Sequence, residues 1–245
     1  MTDKKITDDI GILILENPPQ NFLLEPEFIP LPELKEWIEG NHLKALVIAG
    51  SGRHFSGGAK LESIFTMAEA GEPMEGQMEK GKELLVYLED LDIPVAAAIN
   101  GVCFGGGLEI ALACHIRICS ENSLFAFPET NHGLMPGLGG TYRLGERVSL
   151  KDSLKMILGG DMINAEEALQ LKVVDTIVKN EETLAHTLHF LRKITEDRDI
   201  KIINYVMQSL KNIKRLTLEE SMREETRMFC DLARIESVRR KNANP

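Results

Sequence analysis

Short apolar runs alternate with more polar, helix-forming stretches along the first 180 residues. Ile10–Leu15, Leu43–Ala49 and Pro94–Ile99 are almost wholly apolar and only six or seven residues long, which predicts buried strands. A last strand is predicted at 173–178, and helices are predicted between the strands at 33–39, 62–70 and 77–91. Alternating strands and helices of these lengths indicate an α/β core.

The pattern changes after residue 180. Three amphipathic helices are predicted there, at 181–196, 199–211 and 217–234, with no strand between them. The chain therefore divides into an α/β core over residues 1–179 and a helical region over residues 180–245. A monomer would leave the apolar faces of these helices partly exposed, so we expect the helical region to mediate self-association.

Composition and charge narrow the functional classes. The chain has 245 residues and a net charge of -10, which argues against binding of nucleic acid. Its N-terminus lacks an apolar signal core, and no apolar run approaches the ~20 residues of a membrane span. The four cysteines form no CxxC pair and the six histidines no metal-binding spacing. We expect a cytoplasmic protein with no membrane partner and no metal.

The most informative stretch runs from residue 100 to residue 144. Gly105–Gly107 follows a predicted strand and leads into a run of helix formers that includes Glu109. Glycine lets the backbone approach a ligand closely, and the start of a helix offers unpaired N–H groups. Such a junction suits an oxyanion or a thioester carbonyl. Alone, Glu109 could be a solvated glutamate that a helix N-terminus favours.

A second carboxylate strengthens the functional interpretation. Glu129 follows an apolar passage and precedes a glycine-rich loop, a setting in which a carboxylate needs a specific role. The loop Pro136–Gly140 lacks the dinucleotide-binding spacing because Tyr142 occupies the last glycine position. We interpret this loop as a turn that holds the end of the Glu129 strand. A third glycine junction, His54–Leu61, lacks the lysine of a phosphate-binding loop, because Gly58 stands there.

Together these motifs resemble the crotonase (enoyl-CoA hydratase/isomerase) superfamily. The resemblance is carried by GGGLE at 105–109 and PETNHGLMPGLGGTYRL at 128–144, and it extends over roughly residues 10–178. It implies a spiral of repeated ββα units forming two roughly perpendicular sheets, with a C-terminal helical trimerisation region. The expected assembly is a homotrimer or a dimer of trimers. The substrate would be an acyl-CoA, with coenzyme A as part of the substrate and no separate cofactor.

The resemblance also assigns roles to particular residues. By it, Glu109 and Glu129 are catalytic, and the N–H groups of Gly57 and Gly106 form the oxyanion hole. The stretch expected to contact coenzyme A comprises Gly58, Ala59, Lys60 and Leu61. Hydration of an enoyl thioester needs both carboxylates, because water must be fixed and C2 must receive a proton. The first functional hypothesis is therefore an enoyl-CoA hydratase.

Three departures keep other hypotheses open. The segment Asn21–Pro32 is rich in proline where the family has a helix, and the C-terminus is short; both favour the alternative. Lys60 also replaces a common aspartate, and it is either a solvated lysine at a helix start or a contact to a phosphate of coenzyme A. The alternative is a dehydratase, isomerase or decarboxylase of the same family that acts on a thioester of acyl-carrier protein in polyketide-type biosynthesis. A scaffold without activity is the third hypothesis, and the presence of both glutamates argues against it.

Overall fold

Two β-sheets of unequal size position the segments that contain the predicted site residues. They are seen in a computed structural model that describes residues 2–180 and 182–243. The strands are β1 (Thr2–Thr7), β2 (Ile10–Leu15), β3 (Ala45–Gly50), β4 (Val95–Ile99), β5 (Val102–Phe104), β6 (Ile116–Ser120), β7 (Leu124–Ala126), β8 (Ile163–Asn164) and β9 (Thr176–Val178). The larger sheet has the order β1-β2-β3-β4-β6-β9, and the smaller has the order β5-β7-β8.

Consecutive strands pass from the larger sheet to the smaller one. β4 lies in the larger sheet and β5 in the smaller, and β6 and β7 repeat this step. Within the larger sheet β1 is antiparallel to β2 and all other pairs are parallel, whereas β7 pairs in parallel with β5 and antiparallel with β8. The fold is thus α/β with mixed sheets.

Helices surround these sheets and one of them lies inside. They are α1 (Leu31–Gly40), α2 (Leu61–Glu69), α3 (Glu75–Asp90), α4 (Gly106–Ala113), α5 (Gly140–Gly145), α6 (Leu150–Ile157), α7 (Ala165–Gln170), α8 (Thr183–Thr195), α9 (Ile200–Asn212) and α10 (Leu218–Ala243). A short 3-10 helix spans Pro128–His132. All eight residues of α4 are buried, so this helix belongs to the main hydrophobic core. Apart from Glu109 its residues are apolar or glycine, which explains why the helix lies in the core.

The first helix after residue 180 packs on the α/β core. Leu191 of α8 is fully buried in a second hydrophobic cluster with Ala45, Val47 and Ala96 of the larger sheet. The boundary expected at 179/180 therefore does not separate two packed units, because α8 covers one face of the sheet. The start predicted for this helix, residue 181, lies outside the described residues.

The last two helices leave a large apolar surface uncovered. α9 and α10 pack on each other. Large apolar side chains remain exposed on these helices and just after α9, including those of Val206, Leu210, Ile213, Met222 and Phe229. Self-association through this region stays a prediction with this surface as its basis. Within 2–180 and 182–243, no helix combines the length and the apolarity needed to cross a bilayer.

Candidate functional site

Helix α4 places Glu109 inside the protein. Glu109 lies in the first turn of the helix and is only 2% exposed. Its Oε1 accepts hydrogen bonds from the main-chain N–H groups of Leu138 and Gly140, at 2.6 and 2.7 Å. Leu138 belongs to the glycine-rich loop before α5, and Gly140 is the first residue of that helix. Because these donors are backbone groups, the carboxylate is fixed in position without a side-chain partner.

The surroundings of Glu109 act on its charge in opposite directions. Burial raises the pKa of its carboxyl group above the ordinary value. The N–H groups of Gly140 and Leu138 and the positive charge of Arg143 oppose this rise. A carboxyl group held in this way is buried but keeps partners that stabilise its ionised form.

Glu129 has a different environment. Burial, with a contribution from the negative charge of Glu109, raises the pKa of its carboxyl group to about 7. Its Oε2 is buried and has no hydrogen-bond partner among the described residues. Gly105 lies against the other oxygen, because a Cβ on Gly105 would be 2.9 Å from Glu129 Oε1. With its φ of +50°, this position requires glycine. The carboxyl group of Glu129 therefore stays protonated to a higher pH than that of an ordinary glutamate, whereas the carboxyl group of Glu109 is held by N–H donors.

We expect Glu129→Gln to stabilise the protein at alkaline pH. Because the folded state raises the pKa of Glu129, the protonated form supports folding below the ordinary pKa, and this support is lost as pH rises through about 7. The amide mimics the protonated form at every pH. The variant should therefore gain on the order of 2 kcal/mol in free energy of unfolding at pH 8 and little at pH 4.5. Urea unfolding at several pH values and one protein concentration measures this, and a pH-independent difference would contradict it.

The main-chain donors predicted for an oxyanion need one correction. The N–H of Gly106 begins α4 and has no acceptor within that helix. The N–H of Gly57, however, donates to the Gln20 carbonyl at 2.7 Å and is not available to a ligand. Two residues on, the N–H of Ala59 has no acceptor among the described residues, and its nitrogen lies 3.9 Å from where a Gly106 Cβ would be. The available pair is therefore Ala59 and Gly106.

A buried asparagine explains why the chain bends in this way. The Asn21 side chain is 1% exposed and donates to the carbonyls of Ser51 and His54, at 2.8 and 2.7 Å. The Ser56 hydroxyl donates to the Asn21 carbonyl and accepts from the N–H of Gly58. These bonds fix the segment before Ala59 on both sides, and in the part of the chain that the structure describes the N–H of Ala59 is left without an acceptor.

The two carboxyl groups and this donor pair share one cavity of about 520 Å³. Apolar residues from α2, from the start of α3 and the residue before it, and from the loop after the 3-10 helix line one part of its wall, namely Ile64, Met67, Met74, Met78, Leu134, Met135 and Leu138. Of the residues predicted to contact coenzyme A, Ala59, Lys60 and Leu61 line the cavity and Gly58 does not. The cavity thus offers an apolar chamber beside two carboxyl groups.

Sequence reasoning missed part of the support for Glu109. The loop Pro136–Gly140 was expected to hold the Glu129 strand, but its N–H groups bind Glu109 instead. The chain reversal between α4 and this loop carries no local signal, because 29 residues separate Glu109 from Leu138. Within the described part of the chain, no group of three or more His, Cys, Asp or Glu side chains could hold a metal ion.

Comparisons with known protein families and individual proteins agree with one another. The family model for enoyl-CoA hydratase/isomerase matches residues 8–243. A probable enoyl-CoA hydratase of Bacillus subtilis (strain 168) is 31% identical over 231 residues, covering 94% of this chain and 89% of the relative. The fatty acid oxidation complex subunit alpha of Shewanella loihica is 37% identical over 185 residues, which is 72% of this chain and only 26% of that longer protein.

A solved structure has the same fold. It is a putative enoyl-CoA hydratase from Thermobifida fusca YX in complex with CoA, 25% identical to this chain. The two superpose with a TM-score of 0.81 over 98% of this chain and 94% of the other. The α/β architecture described above is therefore the architecture of that protein as well.

Proposed function

Because the chain belongs to the enoyl-CoA hydratase/isomerase family, we propose that it is an enoyl-CoA hydratase. The proposed reaction adds water across the C2–C3 double bond of an acyl-CoA thioester. One observation carries this proposal. Two carboxyl groups in different environments line the same cavity as two main-chain N–H groups that have no acceptor within residues 2–180 and 182–243. Hydration uses all four groups.

The donor pair accounts for activation of the thioester. Its carbonyl oxygen accepts from the N–H groups of Ala59 and Gly106. Negative charge builds on this oxygen when a nucleophile attacks C3, because the electron pair of the double bond moves into an enolate. Donors that are already oriented stabilise this charge without reorganisation, and one such donor contributes about 3–4 kcal/mol. The helix dipole of α4 adds to the effect at Gly106.

The different environments of the two glutamates assign their roles. Glu109, whose ionised form is stabilised by two N–H donors, accepts a proton from water as the oxygen of that water bonds to C3. Glu129, whose pKa is raised to about 7, donates a proton from its protonated form to C2. The reaction leaves Glu109 protonated and Glu129 ionised, and exchange with solvent restores the starting state. No proton or electron is gained or lost overall.

We propose that the substrate is bound mainly through its coenzyme A part. The related protein of Thermobifida fusca was solved in complex with CoA, which supports this choice. In this chain Lys60 and Leu61 stand at the start of α2 on the cavity wall, where they can contact the coenzyme A chain. The apolar wall behind the carboxyl groups accommodates the acyl group. A homotrimer or a dimer of trimers, built through α9 and α10, is the proposed assembly.

A spectrophotometric screen tests the function. The purified protein is incubated with crotonyl-CoA and longer enoyl-CoAs in H₂¹⁸O, and loss of the conjugated thioester is followed together with ¹⁸O incorporation. Hydration predicts that both proceed at the same rate. Each acyl group is also offered on acyl-carrier protein. Turnover of the carrier-bound thioester alone would favour the alternative substrate, and double-bond migration or decarboxylation without ¹⁸O would identify an isomerase or decarboxylase.

A further inference from the structure

A buried arginine contacts the loop that holds Glu109. Arg143, in α5, is 4% exposed, and its Nη1 donates to the Leu138 carbonyl at 2.6 Å. The N–H of the same Leu138 donates to Glu109. One residue is thus held from both sides, by the guanidinium at its carbonyl and by the carboxylate at its N–H. The loop conformation that presents the N–H groups to Glu109 is the conformation that the guanidinium fixes.

The guanidinium is itself anchored to α3. Its Nη2 forms an ion pair of 2.7 Å with Glu89, near the end of that helix. Gly139 lies directly against it, because a Cβ there would be 2.6 Å from Nη1, and its φ of +96° also favours glycine. The fork of Arg143 therefore spans from α3 to the loop. Lysine, with a single terminal nitrogen, cannot reproduce both contacts in this geometry.

We infer that Arg143 is a positioning residue, which fixes the Gly137–Gly140 loop so that its N–H groups bind Glu109 in the ionised state. The inference rests on the proposed function only for its kinetic consequences. Arg143 does not reach the substrate cavity, whose wall contains Gly137 and Leu138 from this loop. It acts through Leu138.

The charged groups around Glu109 and Arg143 determine the expected effect of removing Arg143. Glu109 faces Arg143 and the carboxyl group of Glu129, and Arg143 faces Glu89 and the neighbouring Arg147. Without Arg143, Glu109 loses a positive charge that lowers the pKa of its carboxyl group, and the loop loses its clamp. Both losses favour protonated Glu109, so the pKa of Glu109 should rise.

Arg143→Met tests the inference, with Arg147→Met as the matched control. Arg147 is a partly buried arginine of the same cluster, but it donates to the carbonyls of Arg143 and Leu112 rather than to the loop. We expect Arg143→Met to lower kcat by about 10²-fold, as small misplacements of catalytic groups do. KM should change little, and the acidic limb of the kcat profile should move to higher pH. Arg147→Met should leave kcat and this limb near those of the wild type.

A second readout does not depend on turnover. The ¹³C resonance of the Glu109 carboxyl group, assigned by its loss in Glu109→Gln, is titrated in the wild type and in each variant. Its midpoint should move to higher pH in Arg143→Met only. If Arg143→Met does not fold, Arg143→Lys replaces it and should lower kcat with a smaller change of the midpoint. A midpoint and a kcat that match those of Arg147→Met would overturn the inference, whereas a wild type that hydrates nothing would refute the proposed function alone.

Discussion

Glu109→Gln and Glu129→Gln should each lower turnover of an enoyl-CoA by about 10²–10⁴-fold, the usual range for loss of a general acid or base. The amide keeps the size of the side chain but cannot accept the proton of water at position 109 or donate one to C2 at position 129. At Glu109 the bound oxygen is retained, because an amide carbonyl can still accept from Leu138 and Gly140. The loss should therefore appear in kcat rather than in KM.

The double variant separates hydration from other chemistry. Both glutamates act on one water and one enolate, so the two losses should be far from additive. An isomerase or decarboxylase would show one severe and one mild loss, because it does not fix water between two carboxyl groups. Single variants that hydrate crotonyl-CoA or a longer enoyl-CoA at the wild-type rate would refute the roles assigned here.

Gly106→Pro should reduce kcat by about 10²–10³-fold through loss of one oxyanion donor. Proline removes the N–H and is otherwise tolerated at the first position of a helix, which Gly106 occupies. Coenzyme A affinity should change little, because the coenzyme A chain does not depend on this donor. Steady-state kinetics together with binding of CoA by calorimetry measures both quantities.

Gly106→Ala is the matched control for this experiment. Alanine adds a Cβ at the same place, 3.0 Å from the flexible end of the Leu23 side chain, but keeps the N–H. Its kcat should remain much closer to that of the wild type. Ala59→Pro and Ala59→Gly form the corresponding pair for the second donor. A folded Gly106→Pro protein with wild-type turnover would exclude the donor role.

The fold could be predicted from the sequence where the pattern of apolar residues in a short segment shows that the segment is buried. β2 has its predicted bounds because six consecutive residues are apolar, and α3 lies within two residues of its predicted bounds. β1 was missed because its sequence, TDKKIT, is mostly polar and becomes a strand by pairing with the edge of β2. The role of α8 was missed because amphipathic spacing reveals an apolar face but not the surface that covers it.

The candidate site could also be predicted only in part from the sequence. Glu109, Glu129 and Gly106 were identified because two local sequence motifs contain them. The structure places Gly106 and Glu109 in the first turn of α4, and it places Glu129 in a 3-10 helix rather than at the end of a strand. That the oxyanion donor is Ala59 rather than Gly57 could not be predicted, because the N–H of Gly57 is taken up by the carbonyl of Gln20, an acceptor distant in the sequence. The clamp by Arg143 likewise depends on three segments that meet only in the folded chain.

Leu138 combines two functions in separate parts of one residue. Its side chain lines the acyl cavity, while its N–H binds Glu109 and its carbonyl binds Arg143. Because the catalytic contact is made by the backbone, it survives exchange of the side chain for another one that fits. The range of accepted substrates can therefore change through this side chain while the contacts of the catalytic Glu109 stay the same. Position 138 is thus a suitable first site for directed evolution of substrate preference.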